Sequence, residues 1–264
     1  MPFIENEVKQ VGPGVWLRVA VDNIAWAELG TAGVVIDALE DPGQADVVRD
    51  LLKSTSGHTV DYVVNTHWDL DHIACNPQWK QEGARILAHE SCAQKAGDWD
   101  GRPDITFGKD TPFSDTAILR GFGDKRIELT YVGGTHTPWD TVLWFPHAKV
   151  LHIADLFGWG LIPCKPTKSK CALLSEILHF LVGFEADAVI CGHGPELEIH
   201  HLRRFRDYFE WMMEIVPPLA REGYDVDAIL DQVPPPGDME DWWRFYAWKH
   251  KKNIELISQF ADAE

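Results

Sequence analysis

The stretch Asn65-Thr66-His67-Trp68-Asp69-Leu70-Asp71-His72 places four potential metal ligands, His67, Asp69, Asp71 and His72, within six residues. Directly before it, Asp61-Tyr62-Val63-Val64-Asn65 reads as a buried strand. Imidazole and carboxylate groups at a strand end can converge on a divalent cation without crossing a core. Three further candidates follow β-like runs in the same way: His136 in Gly133-Gly134-Thr135-His136-Thr137-Pro138, Asp155 in His152-Ile153-Ala154-Asp155, and His193 in Cys191-Gly192-His193-Gly194-Pro195. A lone histidine after a strand is usually a hydrogen-bonded core or surface residue, and a D-x-D-H run alone can be a solvated turn. Four such elements in this order, with glycines beside two of the histidines, point to metal chemistry. No G-x-S-x-G elbow is present, which disfavours a serine nucleophile.

The elements that must position these groups come in two strand-rich halves. In the first, Val15–Val21, Ile24–Leu29 and Gly33–Asp37 read as strands, Asp46–Lys53 as a helix with Val47, Val48, Leu51 and Leu52 on one side, and Asp61–Asn65 as a strand again. The second restarts with Arg126–Val132, pairs Thr141–Pro146 with Lys149–Ala154, and continues through a helix at Leu173–Phe184 to a short strand at Ala188–Cys191. From Ile199 the chain is mostly helical, with Leu202–Ile215 amphipathic and Pro217-Pro218 and Pro234-Pro235-Pro236 as punctuation. Strand-rich halves with flanking helices predict an αββα sandwich.

Composition sets outer bounds. The 264 residues carry 41 acidic against 24 basic side chains, a formal charge of −17, which argues against a broad phosphate-gripping surface and so against nucleic acid. No run approaches the ~20 apolar residues of a membrane helix, and the N-terminal residues lack the pattern of a secretory leader. The cysteines Cys75, Cys92, Cys164, Cys171 and Cys191 are odd in number and never form CxxC, as expected of reduced thiols in a cytoplasmic protein.

In the order of its ligands the chain resembles the metallo-β-lactamase-fold superfamily, from about Val15 to His193. That family's signature is H-x-H-x-D-H, followed by a histidine, a bridging aspartate and a last histidine. The resemblance implies an α/β fold: a metallo-β-lactamase-like αββα sandwich over residues 1–200, with a helical C-terminal extension, 201–264, packed on the same domain. It assigns His67 and His136 to a first metal, Asp71, His72 and His193 to a second, and Asp155 to both. Asp37 matches the family's recurrent strand-end acid, with a supporting role. Asp69 replaces the signature's middle histidine. A carboxylate there makes the first site harder and more anionic, so zinc is expected but iron or manganese is more at home than in a three-histidine site. It also permits a weak first site if Asp69 turns away.

The implied activity is metal-dependent hydrolysis of a small ester, thioester, lactone or related substrate. Two cations about 3.5–4 Å apart lower the pKa of a shared water, giving a hydroxide nucleophile that Asp71 orients. Two alternatives stay open: a non-haem diiron protein that binds or reduces O₂ or NO, and a regulatory binding module with an impaired first metal site. The expected partner is a small molecule, with a homodimer possible through the aromatic segment around Trp242, Trp243 and Trp248. Other groups have two readings each. His152 either supports the site or packs; His147 belongs to a turn; His200 and His201 read as surface histidines. Lys165, Lys168 and Lys170, and more weakly Lys249, Lys251 and Lys252, read as solvated charge or as a clamp for an anionic substrate. Cys164 either lines the pocket or packs. The loops Trp99–Phe113 and Phe157–Cys171 are expected to shape that pocket.

Overall fold

The computed structural model describes residues 6–163 and 167–259. Strands β1 (Glu7–Gly12), β2 (Val15–Val19), β3 (Ile24–Glu28) and β4 (Gly33–Ile36) form an antiparallel meander. Helix α1 (Pro42–Ser56) then crosses over to β5 (Val60–Val64), which pairs parallel with β4. Helices α2 (Leu70–Ile73) and α3 (Asn76–Gln81) lead to β6 (Arg85–His89), and α4 (Glu90–Ala96) leads to β7 (Ile105–Phe107), both again parallel. These seven strands make one sheet in sequence order. The second sheet holds β8 (Thr116–Arg120), β9 (Arg126–Tyr131), β10 (Thr141–Phe145), β11 (Val150–His152) and, after α5 (Lys168–Leu181), β12 (Ala188–Ile190), in the order β12-β11-β10-β9-β8. Then come α6 (Ile199–Arg221), α7 (Val226–Gln232), a π-helical turn at Phe245–Lys249 and α8 (His250–Ser258).

Three apolar layers follow from side-chain alternation. Leu17, Val34 and Ile36 of one sheet meet Leu129, Leu143 and Phe145 of the other. The outer face of the first sheet, with Trp26, Val35 and Val63, is covered by Val48 and Leu52 of α1 and Trp79 of α3. The outer face of the second, with Leu151 and Val189, is covered by Leu174 and Leu178 of α5 and Leu202, Phe205 and Phe209 of α6. The fold is therefore an αββα sandwich with a helical C-terminal region. β4 is buried on both faces, as a strand inside a helix-covered sheet must be, whereas β9 alternates buried and half-buried residues.

Local chemistry moves several expected boundaries. α1 starts at Pro42 rather than Asp46, because Asp41 caps it by accepting from Gly43 N and Pro42 suits the first helical turn. α5 begins at Lys168, capped by Thr167, and ends at Leu181. Pro217 and Pro218 do not end α6, whose apolar face from Leu202 through Phe205, Phe209 and Met212 to Val216 is held in the core cluster. β1, β7 and β8 escaped the pattern because they are sheet edges with half-exposed residues, and β6, beside one of those edges, escaped it too. His201 is buried against Trp159 and Trp242, not on the surface, while His200 is exposed. Cys164 and Lys165 lie outside the described residues. No described helix is long and apolar enough to cross a membrane.

Candidate metal centre

All seven sequence-predicted ligands come from loops and short helical turns that follow strands. β4 is followed by Asp37, held at φ 65°. β5 runs on into Asn65 and Thr66, where the buried Asn65 side chain donates to the His72 carbonyl at 3.2 Å and folds the chain back on itself. The four-residue α2 then sets Asp71 and His72 side by side. Asp69 stands at the N-cap of α2, yet its carboxylate makes no capping bond. It turns toward His136 Nε2 at 3.3 Å and His67 Nε2 at 3.8 Å, and stays 45% exposed.

His136 sits in the loop between β9 and β10, built around Asp140. That buried carboxylate accepts from the backbone of Thr135 at 3.2 Å, His136 at 2.9 Å and Thr137 at 3.0 Å, and from the Thr137 hydroxyl at 2.5 Å. Burial pushes Asp140 up to about 6 against the pull of those donors. Asp155 follows β11 in a 3₁₀ turn whose Ala154 has φ 47°, a left-handed conformation unusual for a residue with a Cβ. Asp155 Oδ2 thereby lies 3.1 Å from His193 Nε2, 3.3 Å from His136 Nε2, 3.5 Å from His72 Nε2 and 3.7 Å from His67 Nε2. Gly192 clears this space: a Cβ there would stand 1.8 Å from Asp155 Oδ1.

The ligand atoms of Asp71, His72, Asp155 and His193 lie within 4.8 Å of one another, as do those of His67, His136 and Asp155. Asp155 belongs to both groups, and Asp69 stands outside them. Asp37 orients two of the histidines. Its Oδ2 is 2.9 Å from His72 Nδ1, and it accepts from the Thr66 hydroxyl, which is in turn 2.9 Å from His67 Nδ1. With Nδ1 occupied in each ring, Nε2 is the atom presented to the cluster.

Without a cation the cluster balances its charge with protons. Burial opposes charge on His193, but hydrogen bonds to Asp155 and Asp22 push it up to about 10. Burial and the neighbouring His72 push His67 down to about 4. Asp71 is raised by burial and lowered by more through its contact with His72. The decisive observation is that the buried Nε2 atoms of His67, His72 and His136 and Oδ1 of Asp155 have no hydrogen-bond partner. Each such atom costs about 1–3 kcal/mol when left unsatisfied. Four of them aimed at one small volume fit bound divalent metal, whose coordination would satisfy them; the donor set does not select the metal.

The remaining candidates separate cleanly. His152 is buried with Nδ1 accepting from Ala154 N, and burial lowers it to about 4. His147 lies in the turn between β10 and β11. Lys249 is buried and donates to the carbonyls of Gly158 and Trp243 at 2.7 Å, so it is no solvated clamp. Lys251 and Lys252 pair with Asp227 and Glu255. Trp68 and Trp139 are half-buried beside the ligand loops, Trp68 edge-on to Trp99 at 5.6 Å and Trp139 under Lys95 at 5.8 Å. The supporting roles of Thr66, Asp140 and Asp22 were not read from sequence. Only Asp140 left a trace, as the acid four residues past His136.

The architecture is shared with solved proteins. A metallo-beta-lactamase from Pontibacter korlensis superposes with a TM-score of 0.63 at 22% identity, over 77% of this chain and 98% of that one. A stereoselective inverting sec-alkylsulfatase from Pseudomonas sp. gives 0.71 at 17% identity, over 96% of this chain but 50% of its own, so this chain spans about half its length. In sequence the chain is 28% identical over 237 residues to the alpha subunit of a 2,4-dinitroanisole O-demethylase from Nocardioides sp. (strain JS1661), covering 86% of this chain and 67% of that subunit. The family model described as the metallo-beta-lactamase superfamily matches residues 21–193, which reach from the turn after β2 to the last histidine of the cluster, and the chain belongs to that superfamily.

Proposed function

We propose that this chain is a metal-dependent hydrolase of a small substrate with an oxygen- or sulfur-linked leaving group: an ester, thioester, lactone or related molecule. The observation that carries the reading is the convergence of unpartnered buried Nε2 and carboxylate atoms on one volume. His67 and His136 would hold one cation, Asp71, His72 and His193 a second, and Asp155 both, with Asp69 an additional oxygen donor beside His136. Bound there, two divalent cations would supply Lewis acidity toward the substrate and a water acidic enough to attack near neutral pH.

The chain's own groups do the rest. Asp71 is 27% exposed, so its carboxylate is partly open to solvent and can accept a hydrogen bond from an attacking water, orienting it toward the substrate. Asp37 and the Val21 carbonyl keep the imidazole protons on Nδ1 of His72 and His193. The half-buried Trp68 and Trp139 flank the ligand loops and suit a substrate with an apolar or aromatic part. The relatives act, by name, on an aryl methyl ether and on a secondary alkyl sulfate, which supports including C–O and S–O leaving groups in the substrate class.

The test is a panel of esters, thioesters, lactones, alkyl sulfates and aryl methyl ethers, assayed after chelation and after reloading with zinc, manganese or iron(II). Activity should vanish on chelation, return with metal, and be lost in His67→Ala and Asp155→Ala. A fully loaded protein inert across the panel would overturn the reading. Asp69 favours a second one, a diiron protein for O₂ or NO, because a carboxylate beside His136 suits iron. Anaerobic purification separates the two: an iron-loaded protein with oxygen-dependent absorbance supports the second, and zinc alone excludes it.

A further inference from the structure

The turn joining β2 to β3, residues 20–23, lies far from His193 along the chain, Val21 being 172 residues away, yet it clamps the loop that carries this histidine. Asn23 is buried and commits its whole side chain to the junction. Its Oδ1 accepts from Ala20 N at 2.8 Å, and its Nδ2 donates to the carbonyls of Cys191 at 2.8 Å and Gly194 at 2.6 Å. Two backbone bonds, Asn23 N to Gly192 O at 2.7 Å and Gly194 N to Ala20 O at 3.1 Å, complete the clamp.

Asp22 does something different. Its carboxylate is 48% exposed and contributes nothing to the apolar core. Among the described residues its one ion pair is with His193, Oδ1 standing 3.1 Å from Nδ1. The Val21 carbonyl lies 2.8 Å from the same nitrogen. A carbonyl only accepts, so Nδ1 carries a proton, and Nε2 faces Asp155 at 3.1 Å and Asp71 at 3.5 Å, where it would give its lone pair to a bound cation. A carboxylate sharing that proton makes the imidazole more electron-rich than a carbonyl alone can, which strengthens Nε2 as a donor.

We propose that Asp22 is a positioning residue for the His193 half of the cluster: through the Nδ1 proton it fixes the ring and raises its affinity for a divalent cation. This rests on reading the cluster as a dinuclear centre. Asn23 and the backbone bonds hold the turn, so the charge at position 22 is free to serve the ligand rather than the fold.

The experiment titrates metal-free wild type, Asp22→Asn, Asp22→Ala and Asp22→Glu with Zn²⁺ by calorimetry and with Co²⁺ by visible absorption, with His193→Ala marking the equivalent that depends on this ring. The metal-free forms of all three Asp22 variants should melt close to wild type, because a pair this exposed contributes little to the fold. One of two equivalents should weaken by about tenfold, the low end for loss of a ligand's outer partner, in Asp22→Asn and Asp22→Ala. Asp22→Glu should recover it, and the Co²⁺ band of that equivalent alone should move. Wild-type affinity for both ions in Asp22→Asn and Asp22→Ala overturns the proposal while leaving the dinuclear reading intact, as does an equal loss at both equivalents. Loss of metal-free stability in Asp22→Asn also overturns it, by making the residue structural. A wild-type protein that takes up fewer than two ions overturns both.

Discussion

The two halves of the cluster are built to different tolerances. On the His72–His193 side, four ligand atoms lie within 4.8 Å of one another, and both rings are fixed from behind by acceptors on Nδ1, Asp37 for one and Val21 with Asp22 for the other. On the His67–His136 side only three ligand atoms meet that distance. His67 is steered indirectly through Thr66, and His136 is fixed through its backbone by Asp140. The fourth oxygen there, Asp69, is 45% exposed. One half is preorganised and the other adaptable, so the first should hold its ion tightly and the second should set which metal completes the pair.

The severest way to break this difference is to remove what both halves share. Asp155→Ala takes one oxygen from each, and metal affinity should fall on both sides by more than the ~10–100-fold typical of an outer partner. Gly192→Ala should do nearly the same without touching a ligand, because its Cβ would stand 1.8 Å from Asp155 Oδ1. Metal stoichiometry after dialysis checks both; two ions retained in Gly192→Ala would mean that the Asp155 loop yields, and that the tight half is not rigid.

Next in size is Asp37→Ala. It strips the acceptor from His72 directly and from His67 only through Thr66, so affinity should fall about 10–100-fold on the His72 side and less on the other. Asp37 is also buried against a histidine, and breaking such a pair costs about 3–5 kcal/mol. Urea unfolding of the metal-free protein and zinc titration measure the two effects. Equal losses at both ions would erase the proposed asymmetry.

How much of this was legible in the sequence depends on how far apart the cooperating residues lie. His67, His136, Asp155 and His193 each close an apolar strand, and that pattern is local, so both the sandwich and the gathering at its edge could be read directly. Asp22 and Asn23 look like ordinary turn residues between β2 and β3. Their contact with Cys191–Gly194 comes from the bridge between Asp22 and His193, and pairing across so long a separation leaves no periodic trace. Lys249 misled for a related reason. Its neighbours Lys251 and Lys252 are solvent-facing, but the π-helical turn carries Lys249 inward onto Gly158 and Trp243. Asp69 was visible as a departure from the family signature, though not the direction in which its side chain turns.

Lys249 backs the tight half from outside, because the Gly158 carbonyl it holds is three residues past Asp155. Burial lowers its amine to about 7, against an unfolded value near 10.4. Below pH 7 both states carry the proton and the cost of burying the charge is fully present. Between about pH 7 and 10 the unfolded chain binds a proton that the fold does not, so stability contributed at this position rises with pH, by up to ~1.4 kcal/mol per unit. In Lys249→Met the two stranded carbonyls cost the same at every pH. The difference in unfolding free energy, wild type minus Lys249→Met, should therefore shift toward wild type by about 2–4 kcal/mol from pH 7 to 10. A flat difference would mean that the two carbonyls and the Trp243 ring, 4.6 Å from the amine, keep the lysine charged.

The smallest effect should come from the residue that most separates the halves. Asp69→His adds an imidazole beside His136 and removes a negative charge from the adaptable side. A neutral nitrogen donor suits zinc, whereas a carboxylate suits harder ions. Zinc affinity of that side alone should rise by about tenfold, ~1.4 kcal/mol, and manganese affinity should fall. The variant should leave the His72–His193 side unchanged, since Asp69 lies outside its group of ligand atoms. Competition titrations of zinc against manganese, with the tight side filled first, give the answer. If the preference does not move, Asp69 faces solvent in the loaded protein, and the adaptable half is then a three-ligand site whose metal is chosen by His67, His136 and Asp155 alone.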